Sequence, residues 1–121
     1  MEQISLRIES HTFTIVMHDT PAARALAEAL PLKVRMARWG EEYYGDCGVT
    51  IEADESAREL MEIGEIAYWP PGQALCVFFG PTPASTDARP RAASPVVPLG
   101  QITSDVSALK ALGASVAAEF S

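Results

Sequence analysis

The chain has 121 residues, of which 48% are hydrophobic and 21% charged, and its formal net charge is -7. One domain of this length buries roughly two thirds of the surface that its unfolded chain exposes, which is enough for a core without disulfides or a structural metal. The acidic balance argues against a phosphate-binding surface, so neither nucleic acid nor an anionic membrane is an expected partner.

The negative charge is concentrated in one stretch. Residues 41–65 contain nine acidic residues and one base, which gives this segment a charge of -8. The two cysteines, Cys47 and Cys76, lack the spacing of a zinc or redox site. The N-terminus shows no signal peptide, and no apolar run approaches the roughly 20 residues of a membrane helix. We therefore expect a single cytoplasmic domain over residues 1–121 without metal or cofactor; the sequence indicates no oligomeric state.

The first half of the chain predicts strands around one helix. Apolar residues alternate over 4–8 and 13–17, as in an antiparallel hairpin. Thr20 and Pro21 mark the start of a helix, and Pro31 ends it. Alternation resumes at residues 32–36, so a third strand is expected there. If it continues, Arg38 lies on the apolar face and Trp39 on the opposite one.

The second half predicts further strands and one more helix. Strands are expected over residues 49–53, 66–69, 74–79, 96–102 and 114–120, with helices over 54–61 and 105–112. Residues 70–72 (PPG) favour a type II turn, and the proline-rich residues 80–98 favour a long loop. About eight strands, with one well-marked helix near each end, predict a mainly β fold: a closed eight-stranded barrel with two capping helices.

This order of elements resembles the cyclophilin fold. Residues 64–72 (GEIAYWPPG), 76–85 (CVFFGPTPAS) and 93–96 (ASPV) resemble those of the small, largely uncharacterised family of prokaryotic cyclophilin-like proteins. The resemblance covers nearly the whole chain. It implies a cyclophilin-like barrel, and it raises the activity of true cyclophilins, cis/trans isomerisation of X-Pro bonds, as a hypothesis.

The same resemblance implies a set of site residues. In cyclophilins an arginine on a strand is followed by a Phe, a Met and a Gln, and here Arg38 is followed at that spacing by Tyr43, Tyr44 and Asp46. The apolar strand of the family ends in two phenylalanines, of which Phe79 would line the proline pocket. The family's Trp and His after that strand have no match, and the Gln position holds a carboxylate.

Two functions and one structural alternative follow. Isomerisation requires a donor to the prolyl nitrogen beside an apolar pocket, so Arg38 is the candidate catalytic residue, with Tyr43, Tyr44, Asp46 and Phe79 as ligand-binding residues. The first hypothesis is binding of a peptide segment or small molecule without efficient isomerisation, and the second is a weak peptidyl-prolyl isomerase. Alternatively, Arg38 forms an ion pair with Glu42 or Asp46 and the aromatic residues belong to the core. The acidic segment favours a neutral or cationic ligand.

Overall fold

The computed structural model describes residues 2–121, and within this range the chain is mainly β. The strands are β1 (Gln3–Ile8), β2 (His11–Met17), β3 (Leu32–Arg38), β4 (Glu42–Asp46), β5 (Arg58–Leu60), β6 (Glu65–Trp69), β7 (Ala74–Phe78), β8 (Arg91–Ile102) and β9 (Ser115–Phe120). The helix α1 spans Pro21–Ala29, and two short 3-10 helices span Pro70–Gly72 and Ser107–Ala111.

Eight of the nine strands form a closed ring. The strand order is β2-β1-β9-β3-β4-β7-β6-β8-β5, and β2 also pairs with β8. This extra pairing closes the ring and leaves only β5 outside it. The predicted mainly β fold is therefore confirmed, and the predicted hairpin is the pair β1–β2.

The helix α1 starts where the sequence indicated. The Thr20 hydroxyl accepts a hydrogen bond from the Ala23 backbone N–H at 3.1 Å, and a proline occupies the first turn. Leu26 and two alanines of the helix are buried, and the helix contacts β8. Small side chains on the buried face allow this close approach.

The second predicted capping helix, over residues 105–112, is wrong in type. Only Ser107–Ala111 is helical, and it is a 3-10 helix. The Asp105 carboxylate accepts hydrogen bonds from the Ser107 N–H and hydroxyl, a local arrangement that competes with an α-helical turn. The carbonyls of Lys110 and Leu112 are bonded to a distant arginine. Among residues 2–121, α1 is thus the one α-helix.

The predictions for residues 49–61 are also wrong. Residues 49–53 alternate and bury Ile51, but they pair with no strand. The Val49 carbonyl instead accepts from the Tyr68 hydroxyl at 2.7 Å. In the predicted helix 54–61, the Asp54 carboxylate accepts the Ser56 N–H at 2.8 Å, which stabilises a turn, and the segment ends in the short strand β5.

Two proline-rich segments also differ from expectation. Residues 70–72 form a 3-10 turn, with Gln73 in the left-handed region at φ 46°. The expected loop 80–98 ends earlier, because β8 begins at Arg91 and runs for 12 residues. Its first half pairs only with the short β5, and such an edge position tolerates proline.

Apolar side chains form two separate clusters on the two faces of the sheet. The interior of the ring holds the larger cluster, which includes Phe79 and Tyr43. The second cluster lies on the outer face, between the sheet and the first half of β8, and consists of Met61, Ala67, Cys76, Phe78, Ala92 and Val96. The strand β7 is buried on both faces for this reason, which explains its uninterrupted apolar sequence.

Candidate functional site

The hairpin that joins β3 and β4 sends its side chains to two different places. Arg38 lies opposite Tyr43, and Trp39 exchanges backbone hydrogen bonds with Glu42 at 2.8 and 3.2 Å. Residues opposite each other in an antiparallel pair share a face of the sheet. The hairpin therefore places Arg38 beside Tyr43 inside the ring, as the alternation predicted, and Trp39 beside Glu42 on the outer face.

Inside the ring, the structure brings together three of the predicted site residues. The rings of Tyr43 and Phe79 are stacked with centroids 5.3 Å apart, and they are 0% and 1% exposed. The Arg38 guanidinium carbon lies 5.2 Å from the Phe79 centroid and 6.0 Å from that of Tyr43. This is a favourable cation–π arrangement at one end of the ring.

The Arg38 guanidinium is already bonded within the chain. Its Nε donates to the Gly40 carbonyl at 2.8 Å, and Nη1 donates to the carbonyls of Lys110 and Leu112 at 3.0 and 2.9 Å. Its ionic partner is Glu41 at 3.8 Å, whereas the structural alternative named Glu42 or Asp46. The segment 107–113 lies over this end, and the aromatic rings of Tyr43 and Phe79 beneath it are buried in the core.

The other two predicted ligand residues lie away from Arg38. The Tyr44 side chain points to the outer face, because it follows Tyr43 by one position on β4, and the residue is 36% exposed. Asp46 is exposed, and its carboxylate accepts the Gly48 backbone N–H at 2.8 Å. The cyclophilin spacing thus does not bring all five residues to one pocket.

A cavity of about 240 Å³ lies on the outer face of the sheet, and we call it the outer cleft. Three aromatic side chains and one carboxyl line one part of it, and small side chains of β8 line the rest. The lining residues are Trp39, Glu42, Tyr44, Trp69, Ala92, Ala93 and Val96. Apart from Glu42 and the edges of three aromatic side chains, this lining offers no polar side chain.

Glu42 is the unusual member of the outer cleft. The residue is 5% exposed, and among residues 2–121 no Lys, Arg or His nitrogen lies within 4.0 Å of its carboxylate. Burial raises its pKa from 4.5 to about 7, and a hydrogen bond from the Cys76 thiol opposes this only in part. Burial also raises the pKa of the Cys76 thiol, which keeps it protonated.

Neighbouring contacts hold the walls of the outer cleft in place. The Trp69 indole N–H donates to the Ser94 hydroxyl at 2.7 Å, which ties β6 to the first half of β8. On the other side, Gly40 has φ +61°, and a Cβ there would lie 2.7 Å from Pro83 Cδ. The loop after β7 is thus packed on the turn that carries Trp39, and the Glu41 N–H donates to the Pro81 carbonyl at 2.9 Å.

A second buried acid on the outer face, Glu65, has an ordinary structural role. Arg58 of β5 donates to both of its carboxylate oxygens, at 3.1 and 2.6 Å. The Glu62 N–H adds a further bond at 2.8 Å. The contrast isolates Glu42, since the neighbouring buried carboxylate has a cationic partner from its own chain.

Other surface features of the protein are less suited to bind a ligand. A wide depression of about 740 Å³ is lined by residues of β1, β3 and β9, where Arg7 pairs with Glu119 at 2.7 Å. Most of its charged side chains are exposed, and surface ion pairs contribute little free energy. Within residues 2–121, no group of three or more His, Cys, Asp or Glu side chains is arranged to hold a metal ion. In the same range, no helix has the length and apolar character needed to cross a membrane.

Comparison with known proteins identifies the family of this chain. The model of the family described as cyclophilin-like matches residues 2–119. The chain belongs to the cyclophilin-like family. A solution structure of a hypothetical protein from Archaeoglobus fulgidus is 35% identical in sequence, with a TM-score of 0.81 over 98% of this chain and 92% of that one. No curated protein matches the chain significantly.

The outer cleft of this cyclophilin-like protein was missed from the sequence, with the exception of Tyr44. Trp39, Glu42 and Trp69 have no counterpart in the cyclophilin pattern. The resemblance therefore does not predict them as site residues. A signal was nevertheless present: Gly40 and Glu41 make a two-residue turn, which pairs Trp39 with Glu42 on one face. The sequence also does not predict that β8 lines the cleft, because the prolines favour a loop over residues 80–98.

Proposed function

We propose that this cyclophilin-like protein binds a small organic ligand, or one side chain of a peptide, in the outer cleft without efficient prolyl isomerisation. The observation that carries the proposal is a preformed apolar cavity of about 240 Å³ with a single buried carboxyl in its wall. Small-molecule sites in proteins are mostly apolar concavities with a few placed polar groups. Ligand pockets usually measure about 300–1,000 Å³, so this cavity suits a ligand of fragment size.

The surroundings of Arg38 support the part of the proposal that concerns isomerisation. A catalyst of this reaction must offer a free N–H to the prolyl nitrogen and an apolar pocket for the ring. Here three of the five guanidinium N–H groups donate to backbone carbonyls, and Nη2 lies 3.8 Å from the Glu41 carboxylate. Tyr43 and Phe79 are stacked on each other and buried. A proline ring would have to displace the segment 107–113 before it reached them.

A screen of fragment-sized compounds by amide-resolved NMR tests the binding proposal. We expect hits whose shift changes centre on Trp39, Glu42 and residues 92–93. Ala93 is exposed and lines the cleft, so Ala93→Trp adds a large side chain at the cleft wall and should abolish these hits. The matched control Ala108→Trp, on the exposed face of the 3-10 helix beside Arg38, should leave them unchanged.

The same variants define the results against the proposal. Hits that respond to Ala108→Trp, and not to Ala93→Trp, would place the site at the ring end. A complete absence of hits would contradict binding in the outer cleft. Isomerisation of an X-Pro peptide should run at the background rate in wild type and in Arg38→Ala. A rate well above background that Arg38→Ala abolishes would favour the isomerase.

A further inference from the structure

We infer that the ligand of the outer cleft carries an organic ammonium group, of the methylated or quaternary kind, which sits between the aromatic side chains and beside the Glu42 carboxylate. The inference rests on the proposed function, since it names the chemical class of ligand for that site. Two independent features support it, the aromatic walls and the missing counter-ion.

The aromatic walls match the known chemistry of ammonium recognition. Trp39, Tyr44 and Trp69 come from three different strands or turns and converge on one cavity. The faces of aromatic rings attract cations, most strongly for tryptophan, and cages of such rings recognise choline and methylated lysine. A trimethylammonium group also gains from apolar contact, because its charge is covered by methyl groups. A compact, strongly hydrated ion would lose more hydration free energy on entering so apolar a cavity.

The missing counter-ion is the second feature. A buried carboxylate in a protein is normally paired, as Glu65 is with Arg58. Glu42 is buried to a similar degree and faces the cavity without a cation from residues 2–121. A ligand cation would complete the pair that the chain leaves open.

The charge of the whole protein also favours a cationic ligand. The chain has a net charge of -7, and the segment 41–65 alone carries -8. A surface of one sign raises the local concentration of ligands of the opposite sign. An anionic ligand would instead approach a protein of net charge -7 and meet a cavity without any lysine or arginine in its wall.

The ionisation of Glu42 sets the pH at which the ammonium group binds. Below about pH 7 the carboxyl is largely neutral in the free protein, so it attracts a cation less. The other titratable groups that face it are Cys76 on β7 and Tyr44 on its own strand. The residues of β6 and β8 in the wall are Trp69, Ala92, Ala93 and Val96, none of which titrates. Binding of the cation should therefore strengthen between about pH 6 and about pH 8.

A titration with two matched probes tests the inference. Choline and its neutral isostere, 3,3-dimethylbutan-1-ol, have nearly the same shape and differ in charge. At about pH 8, choline should bind at least about ten-fold more tightly, the difference expected from a desolvated cation–π contact and one ionic partner. Glu42→Gln should remove about ten-fold of the choline affinity and leave the neutral probe unchanged.

Three further titrations show the cause of a negative result. Trp39→Leu should weaken choline without changing the charge of the cleft. The matched exchange Glu28→Gln, on the exposed face of α1, should change neither probe. A peptide containing trimethyllysine, titrated beside free choline, shows whether the group is presented by a protein or by a small molecule.

The outcomes separate the inference from the proposed function. Equal affinity for the two probes, or choline binding that Glu42→Gln does not change, would overturn the ammonium inference and leave the cleft as a binding site. Failure of both probes in a protein that still gives fragment hits sensitive to Ala93→Trp would do the same. Failure of the fragments as well would remove the proposed function itself.

Discussion

Glu42 costs the folded protein stability unless something compensates for its burial. The residue is 5% exposed, and among residues 2–121 the donor to its carboxyl is the weakly donating Cys76 thiol. Burial, which removes the carboxylate from water, raises its pKa from 4.5 to about 7. An acid held in this way, at the wall of a cavity, is typical of functional sites, because a core without such a function does better with an apolar residue.

The pKa of Glu42 predicts how stability varies with pH. In the unfolded chain the carboxyl ionises near 4.5, and in the folded chain near 7, so between these values the folded state holds the proton and the unfolded state does not. The free energy of unfolding should therefore fall as the pH rises through this window. At about 1.4 kcal/mol per pKa unit, the loss is on the order of 3 kcal/mol.

Urea unfolding at about pH 5 and about pH 8 measures this loss. Relative to the wild type, Glu42→Gln should gain stability at the higher pH, while Glu28→Gln should follow the wild type at both. Parallel pH profiles of wild type and Glu42→Gln would show that the carboxyl ionises freely in the folded protein.

At the scale of elements, the hairpin β3–β4 places both candidate sites. Two of its cross-strand pairs put Arg38 with Tyr43 on the inner face and Trp39 with Glu42 on the outer face. Arg38 then fastens this hairpin to the segment 107–113 through two carbonyls, and the Tyr43 hydroxyl adds a bond to the Gly113 carbonyl at 2.6 Å. The ring end is thus closed by hydrogen bonds between elements far apart in sequence.

A structural role of Arg38 has a measurable consequence. Arg38→Ala removes three hydrogen bonds and the packing on Phe79, so we expect a loss of about 2–4 kcal/mol in the free energy of unfolding. The matched control is Arg35→Ala on the exposed face of the same strand, where the side chain has one long bond to Ser115 at 3.4 Å. That substitution should change stability by no more than about 0.5 kcal/mol. Equal effects of the two substitutions in urea unfolding would show that Arg38 is not part of this closure.

The elements that the sequence predicted correctly are those with complete local signals. The hairpin β1–β2 has strict alternation, and α1 has Thr20 at its cap and a proline in its first turn. The errors over residues 49–61 and 105–112 occurred where long-range or side-chain bonds replace the backbone ladder. Examples are Val49 with Tyr68 and Asp105 with Ser107. No periodicity in a single chain encodes such partners.

The whole molecule consists of two apolar layers that share one sheet. The ring interior is filled by its own side chains, and the outer layer, under the first half of β8, leaves a cavity unfilled. The resemblance to cyclophilins predicted Arg38, Tyr43 and Phe79 as neighbours, and the alternation along β3 predicted that Arg38 lies on the apolar face. The sequence did not predict the outer layer, because β8 covers β6 and β7 through contacts between segments more than 20 residues apart in sequence, such as Trp69 with Ser94 at |i−j| = 25.

We expect an ammonium ligand to bind in the outer cleft and not at the ring end beside Arg38. Intermolecular nuclear Overhauser effects from the methyl protons of choline in the wild-type protein at about pH 8 test it most directly. We expect contacts from these protons to the indole rings of both Trp39 and Trp69. Contacts to the rings of Tyr43 or Phe79, or no contact to either indole under conditions in which choline is bound, would contradict it.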